Sequence, residues 1–249
     1  TNSVSHYLKD NTGDKNLLKS FLIQGRKGKK VVLGKTDFGQ TGQKSYGFFT
    51  KAIGGAKNIR LLQILTDPDG VSRGVPRYFV EKQKDGSFKN VRSFSSELLY
   101  RATGIDVLTG EESDSVYLNF DGGAGSIPTY SLADLYKCAK AGNADYFRKH
   151  FQGKVAILGF TEDLEDRKKT SAQYIAQPDF AGAPEACVGP TREPASARNT
   201  IPGVYTHATA INNLVRGNDL QLPNWGMRLA VPLTMAVIAV LSGFFLRPN

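Results

Sequence analysis

The stretch LAVPLTMAVIAVLSGFFL, from Leu229 to Leu246, contains no charged residue. Arginine flanks it on both sides, at positions 228 and 247, and Trp225 lies just before it. A bilayer core needs about 20 apolar residues, with a lower limit of about 17, and tryptophan is enriched where a helix leaves the bilayer. The pattern therefore predicts a transmembrane helix over residues 227–247.

A buried core helix at the end of a soluble domain is the alternative interpretation of this stretch. Core helices usually carry a polar stripe, whereas only Thr234 and Ser242 interrupt the apolar run. Pro232 is compatible with a membrane helix, because neighbouring groups satisfy the backbone there. One arginine at each end does not fix the orientation of the helix.

The residues before this stretch have the composition of a globular domain. The chain has 249 residues, of which 40% are hydrophobic and 22% charged, and this proportion suits a packed core. Its formal net charge is +9. The basic runs at Arg26–Lys30 and Arg167–Lys169 are short, and no nucleic-acid-binding motif accompanies them. We expect a solvated basic surface and no nucleic-acid partner.

Helical and extended patterns alternate along the soluble part. The pattern predicts strands at Val31–Gly34, Ile59–Leu65, Val71–Val80, Val116–Phe120 and Val155–Phe160, and helices at Asn16–Gln24, Ser93–Gly104, Ser131–Ala141, Tyr146–His150 and Thr206–Arg216. The last helix has a predicted apolar face of Ala210, Ile211, Leu214 and Val215. Near-continuous apolar runs are typical of parallel strands buried on both faces. We predict an α/β fold with a mainly parallel sheet flanked by helices.

Polar side chains gather where the last predicted strand ends. Thr161, Asp163 and Asp166 follow Val155–Phe160 directly, and ligands of open parallel sheets bind beyond the carboxyl ends of the strands. His207 begins the last helix and can reach the same edge. We predict a ligand pocket lined by these four residues; a solvated loop with a helix-capping histidine is the alternative.

Motifs for catalysis and metal binding are missing from the sequence. There is no P-loop, GxSxG elbow, HExxH pair or EF-hand loop, and no nucleophile accompanies the candidate pocket. Two cysteines and three scattered histidines do not make a zinc site. We therefore expect no catalytic residue, metal or cofactor in this chain. Cys138 and Cys187 form either one disulfide, in an oxidising compartment, or two buried thiols.

Several blocks of the chain resemble CHASE2 domains. FQGKVAILGFTEDLEDRKKT (Phe151–Thr170) and IPGVYTHATAINNLVRGNDL (Ile201–Leu220) are similar to the end of that family's domains. TDPDGVSRGVP (Thr66–Pro76) resembles its DxDGxxR element, and KKVVLGKTD (Lys29–Asp37) resembles the strand before it. The resemblance extends from about Asp14 to Leu220.

The resemblance implies an extracytoplasmic sensor domain of a bacterial membrane receptor. One membrane helix precedes such domains and three follow, so residues 227–247 would be the first of the three. The sensor would occupy residues 1–222, with its N-terminal part missing and an Ala/Pro-rich insert at 167–201. The insert, with Cys187, and Cys138 resemble versions attached to class III adenylate/guanylate cyclases. These versions imply a homodimer in the cytoplasmic membrane, with the soluble domain in the periplasm.

Other classes of function stay open at this point. The output is alternatively a histidine or Ser/Thr kinase. A membrane-anchored hydrolase would use Asp163 or Asp166 with His207, and a protein that binds an envelope partner would show a broad apolar patch. The expected partners are a small-molecule or envelope ligand and membrane lipid.

Overall fold

The computed structural model describes residues 12–28, 30–36, 47–83, 85–108, 114–120, 127–160, 167–171, 187 and 200–245. The chain divides into two compact units, Thr1–Asp219 and Leu220–Asn249. The first unit mixes helices and short strands, and the second contains one long helix.

Helices and short strands alternate along the first unit. Its helices are α1 (Thr12–Ser20, continued by a π-helix at Phe21–Lys27), α2 (Gly47–Ala52), α3 (Phe94–Thr103), α4 (Leu132–Lys140), α5 (Ala144–Phe151) and α6 (Gly203–Arg216). A 3-10 turn spans Ala56–Asn58. Its strands are β1 (Leu33–Lys35), β2 (Ile59–Leu61), β3 (Gly74–Pro76), β4 (Tyr78–Lys82), β5 (Phe88–Arg92), β6 (Ser115–Tyr117), β7 (Arg167–Lys168) and β8 (Ile201–Pro202). The mixture of helix and strand agrees with the sequence.

The described strands form four two-stranded sheets, and this differs from the predicted mainly parallel sheet. β1 and β2 are parallel, with Leu33 opposite Ile59. The pairs β3–β6, β4–β5 and β7–β8 are antiparallel. The predicted strand Val71–Val80 is divided at Arg77, whose side chain turns into the interior and is only 3% exposed. β3 and β4 therefore pair with different neighbours.

The predicted strand Val155–Phe160 is irregular in the structure. Val155 and Ile157 pack against the core, whereas Leu158 and Phe160 are 82% and 83% exposed. The prediction of a strand buried on both faces is therefore wrong for residues 155–160. An apolar run does not by itself show how many of its faces are covered.

Two hydrophobic clusters share helix α6. One cluster comprises Val75, Val116, Leu118, Phe120, Ile201, Tyr205 and Ala210. The other joins Phe94, Leu98 and Ile211 to the partly buried Val32, Leu62, Val155 and Ile157. Burial of each such side chain stabilises the fold by about 1.5–3 kcal/mol. Val215, predicted on the apolar face of this helix, is 52% exposed, so the buried face of α6 does not extend to this residue.

Helix α3 begins and ends where its sequence predicts. The Ser93 hydroxyl accepts a hydrogen bond from the backbone N–H of Ser96 and so caps the first turn. Gly104 ends the helix with φ +79°, a conformation that glycine adopts without steric cost. This helix carries two buried polar residues, Ser95 and Glu97.

The second unit contains α7, Trp225–Phe245. Residues Trp225–Phe244 have a mean hydropathy of 1.8, are not buried by the rest of the protein, and are long and apolar enough to cross a membrane. The hydroxyls of Thr234 and Ser242 donate to the carbonyls of Ala230 and Ile238, each at 2.7 Å. These hydroxyls therefore need no polar partner outside the helix, as a lipid surrounding requires.

Candidate functional site

His207 is the member of the predicted pocket that lies among the described residues; Thr161, Asp163 and Asp166 lie outside them. It stands in the second turn of α6 and is only 4% exposed. Its Nε2 lies 3.1 Å from the Leu62 carbonyl oxygen and its Nδ1 3.0 Å from the Ser95 hydroxyl. Because a carbonyl only accepts, Nε2 donates to Leu62 and Nδ1 accepts from Ser95.

Burial controls the charge of His207. Desolvation lowers the pKa of its imidazole from 6.5 to about 4, and the nearby Lys168 ammonium also lowers it. The ring is therefore neutral at physiological pH, and the Phe94 ring packs edge-on at 5.4 Å. His207 ties α6 to α3 and to the end of β2. The four-residue pocket stays a prediction.

The loop after β2 holds the family-like DPDG sequence on the surface. The Arg73 guanidinium contacts the carboxylates of Asp67 and Asp69, each at 2.6 Å. This hydrogen bond from Arg73, with one from the Val71 backbone N–H, lowers the pKa of Asp69 to about 2, and the same pairs raise the pKa of Arg73. All three side chains are 42–51% exposed. The loop is thus a charged surface turn whose acids are already matched by an arginine.

A buried serine of this loop, Ser72, is hydrogen-bonded to the residue that follows β7. The Ser72 backbone N–H donates to the Lys169 carbonyl at 2.7 Å, and the hydroxyls of Ser72 and Thr66 are 3.1 Å apart. Lys168 belongs to β7 and acts electrostatically on His207. The DPDG loop, β7 and the start of α6 therefore meet at one edge of the first unit. No group of three or more potential metal ligands occurs within the described ranges.

Helix α3 carries a buried carboxylate that is surrounded by arginines. Glu97 is 4% exposed; its oxygens lie 2.9 Å from Arg60, 2.8 Å from Arg101 and 3.7 Å from Arg92. Arg92 also pairs with Asp106. The cluster joins α3 to β2 and β5 and is a structural ion-pair network. The i,i+4 spacing of Glu97 and Arg101 was a sequence signal for part of it.

A second buried polar group lies where the first unit ends. Asn213, with no exposed surface, accepts at Oδ1 from the Asn119 backbone N–H (2.9 Å). Its Nδ2 donates to the Asn119 carbonyl (3.0 Å) and to Asn218 Oδ1 (3.1 Å). The Asn119 side chain in turn donates to the Asn218 carbonyl at 3.1 Å. The Asn213 side chain thus connects α6 to Asn119, two residues beyond β6, and to Asn218, which follows the helix.

An ion pair completes this group. Arg77 Nη2 donates to Asp219 Oδ2 at 2.9 Å, and the two side chains are 3% and 9% exposed. We call the five residues Arg77, Asn119, Asn213, Asn218 and Asp219 the polar clamp. The sequence did not predict these residues as a group. Asn213 follows the buried Ala210 by three residues and Thr206 by seven, so its place on the inner stripe of α6 was the available signal.

The structure contains a disulfide between Cys138 and Cys187, whose Cα atoms are 5.4 Å apart. Cys138 lies on α4 and is fully buried. Of the two alternatives that the sequence left open, the structure thus has the disulfide. The bond attaches residue 187 to the helical part of the first unit.

The comparisons with known proteins identify the family. No curated protein and no solved structure matches the chain. A family model, described as the CHASE2 domain, matches residues 3–246. The match extends over both compact units and includes the whole of α7. The resemblance found in the sequence is therefore confirmed: the chain belongs to the CHASE2 family of extracytoplasmic sensor domains.

Proposed function

We propose that this chain is the ligand-sensing part of a bacterial transmembrane receptor. The sensor body, residues 1–222, lies on the periplasmic side of the cytoplasmic membrane, and residues 227–247 anchor it in the bilayer. The observation that carries the proposal is the CHASE2 match across body and helix together. The body binds a ligand, changes shape and biases the attached helix; it supplies binding rather than catalysis.

The surface of α7 supports its placement in lipid. Large apolar side chains along the helix are exposed, among them Val231, Leu233, Met235, Ile238 and Phe244. An exposed apolar surface of this length is costly in water, at about 25 cal/mol per Å². Trp225, 78% exposed at the start of the helix, suits the interface between lipid and water.

The disulfide supports the periplasmic placement of the body. Disulfides persist in oxidising compartments such as the periplasm and are rare in the reducing cytosol. A bond between Cys138 and Cys187 would be reduced if the body faced the cytoplasm. The disulfide therefore supports the same extracytoplasmic placement as the family does.

The ligand edge is proposed at the start of α6. Thr161, Asp163 and Asp166 follow residues 155–160, and Gly159 approaches Val204 in the first turn of α6. These polar residues, together with His207, would take a small-molecule or envelope ligand. For a signal to pass, the ligand must bind one of two shapes of the body more tightly than the other.

The output is proposed to be a cytoplasmic class III nucleotide cyclase that works as a homodimer. The support is the insert with Cys187 and its bond to Cys138, which resembles cyclase-linked CHASE2 domains. Two chains side by side would bring two α7 helices together. A ligand-dependent change in each body would then alter how these helices pair.

Thiol labelling in cells tests the placement. Lys57→Cys puts a thiol on an exposed position of the body, and Val116→Cys puts one at a fully buried position as the matched control. A membrane-impermeant maleimide added to spheroplasts should label Lys57→Cys and leave Val116→Cys unlabelled until the protein is denatured. Labelling of Lys57→Cys only after the membrane is broken would refute the proposal.

A further inference from the structure

We infer that the polar clamp is the joint through which a change of shape in the sensor body reaches the membrane helix. The inference rests on the proposed function, since it takes residues 225–245 to lie in lipid. Asp219 is the last residue of the first unit and Leu220 the first of the second. A displacement of the clamp therefore moves the start of segment 220–224, which leads directly into α7.

The clamp holds the chain by hydrogen bonds. Asn213 makes three side-chain hydrogen bonds while fully buried, and Arg77 and Asp219 are paired with at most 9% of either side chain exposed. Buried polar contacts depend steeply on direction and distance, and a partly satisfied network is costly. Such a group therefore favours discrete arrangements over gradual slippage, which is the property that a switch needs.

Helix α6 connects the clamp to the proposed ligand edge. His207 lies near the start of this helix and Asn213 six residues later, a rise of about 9 Å at 1.5 Å per residue. His207 is fixed to Ser95 and Leu62 at one end, and Asn213 is fixed to Asn119 at the other. A displacement of the helix at His207 is thus carried along its axis to Asn213.

The backbone of Arg77 connects the polar clamp to helix α3 as well. Its backbone N–H donates to the Asp114 carbonyl at 2.8 Å, and its carbonyl accepts from the Ser93 N–H at 3.1 Å. Ser93 caps α3, the helix that also carries the Ser95 partner of His207. Movement of α3 or of α6 at the ligand edge therefore reaches Asp219 as well.

The single tryptophan of the chain is a built-in probe of the joint, because Trp225 is the first residue of α7. The full chain is reconstituted in lipid nanodiscs as wild type, Asn213→Ala and Asn119→Ala. We expect Asn213→Ala to raise amide hydrogen exchange in residues 214–224 about tenfold through local opening and to lower the fluorescence anisotropy of Trp225. Asn119→Ala, which keeps the backbone bonds to Asn213, should give a smaller change in the same direction.

Asn143→Ala is the matched control. Asn143 caps α5 by accepting from the Tyr146 N–H, so the substitution removes one asparagine contact away from the clamp. It should leave residues 214–224 and Trp225 unchanged. If Asn213→Ala does not fold, Asn119→Ala decides the question with the same two readouts.

Two results would overturn the inference. One is wild-type exchange in residues 214–224 and wild-type anisotropy in a folded variant of the clamp. The other is exchange that rises equally in α3 and in residues 214–224, because the asparagines would then be ordinary packing groups. Both results are separate from the labelling of Lys57→Cys, so the joint can fail while the receptor placement stands.

Discussion

Arg73 and Arg77 stand four residues apart in the sequence, yet they sit in opposite surroundings. Arg73 bridges Asp67 and Asp69 with its side chain 47% exposed. Arg77 pairs with Asp219 with its side chain 3% exposed. The chemistry of the two pairs is the same, and water is present around one and excluded from the other. The difference teaches that burial, rather than residue type, decides which pair holds the fold.

Because water surrounds the DPDG loop, its ion pairs contribute little to the stability of the fold. An exposed ion pair is worth about 0–1 kcal/mol, because solvent screens it. Removing one partner of a buried pair costs about 3–5 kcal/mol, since the remaining charge is left without compensation. The loop is thus free to vary its contacts gradually, whereas the clamp resists gradual displacement and favours discrete arrangements.

Arg77→Met should give the largest loss of stability. The substitution leaves the buried Asp219 carboxylate without its guanidinium, so the free energy of unfolding should fall by about 3–5 kcal/mol. Pulse proteolysis of the full chain in urea, in lipid nanodiscs, measures it. The double variant Arg77→Met, Asp219→Asn should recover part of the loss. A loss below about 1 kcal/mol would erase the contrast with Arg73.

Acid should weaken the fold through His207. Its pKa is about 4 in the fold, below the ordinary histidine value of 6.5, so the unfolded chain binds the proton first as pH falls. Stability from this group is fully present above pH 6.5 and is lost between pH 6.5 and 4, by about 3 kcal/mol in all. The glutamine of His207→Gln has a donor for Leu62 and an acceptor for Ser95, and it does not titrate. In this variant the free energy of unfolding, measured by urea unfolding at each pH, should depend less on pH between 6.5 and 4. An unchanged slope would show that His207 is hydrated.

Asn213→Ala should lower the free energy of unfolding by about 2 kcal/mol, a loss between those of Arg77→Met and Arg73→Met. The deletion removes the Asn213 amide from the half-buried N–H and carbonyl of Asn119, and each group left unsatisfied costs about 1–3 kcal/mol, partly offset by relaxation. Urea unfolding of the full chain checks it beside Asn143→Ala, for which loss of a helix cap costs about 1 kcal/mol. Equal or reversed costs would contradict the assignment of Asn213 to the interior.

Arg73→Met should have the smallest effect. The loop carboxylates remain solvated without it, so the free energy of unfolding should change by less than about 1 kcal/mol. The pKa of Asp69 should rise from about 2 towards its ordinary value, because the hydrogen bond from Arg73 is its largest cause. Carboxyl titration by NMR measures that rise. A loss comparable to that of Arg77→Met would mean that the loop supports the core.

The sequence predicted the features that local chemistry determines. The Ser93 cap and the Gly104 stop delimit α3, and the uncharged stretch delimits the apolar helix. The blocks around Phe151–Thr170 and Ile201–Leu220 were enough to indicate the family. Each of these signals is contained in a few neighbouring residues, so no knowledge of the tertiary structure was needed.

The features that the sequence did not predict depend on distant residues. Arg77 meets Asp219 across 142 positions, and Asn119 meets Asn213 across 94. No periodicity reports such pairs. The pairing of β3 with β6 likewise joins two segments that are far apart in the chain. For His207, the helix position was predicted correctly, whereas its burial depended on contacts with Leu62 and Ser95.

Hydrogen exchange of the wild-type chain in lipid nanodiscs tests the contrast most directly. Asn218, whose N–H donates to the Asn213 carbonyl, is compared with Gly70, whose N–H donates to the Asp67 carbonyl in the exposed loop. We predict that the Asn218 amide exchanges at least about tenfold more slowly, because it opens only with the clamp. Equal protection of the two amides, or faster exchange at Asn218, would contradict a stably formed polar clamp at the end of the first unit.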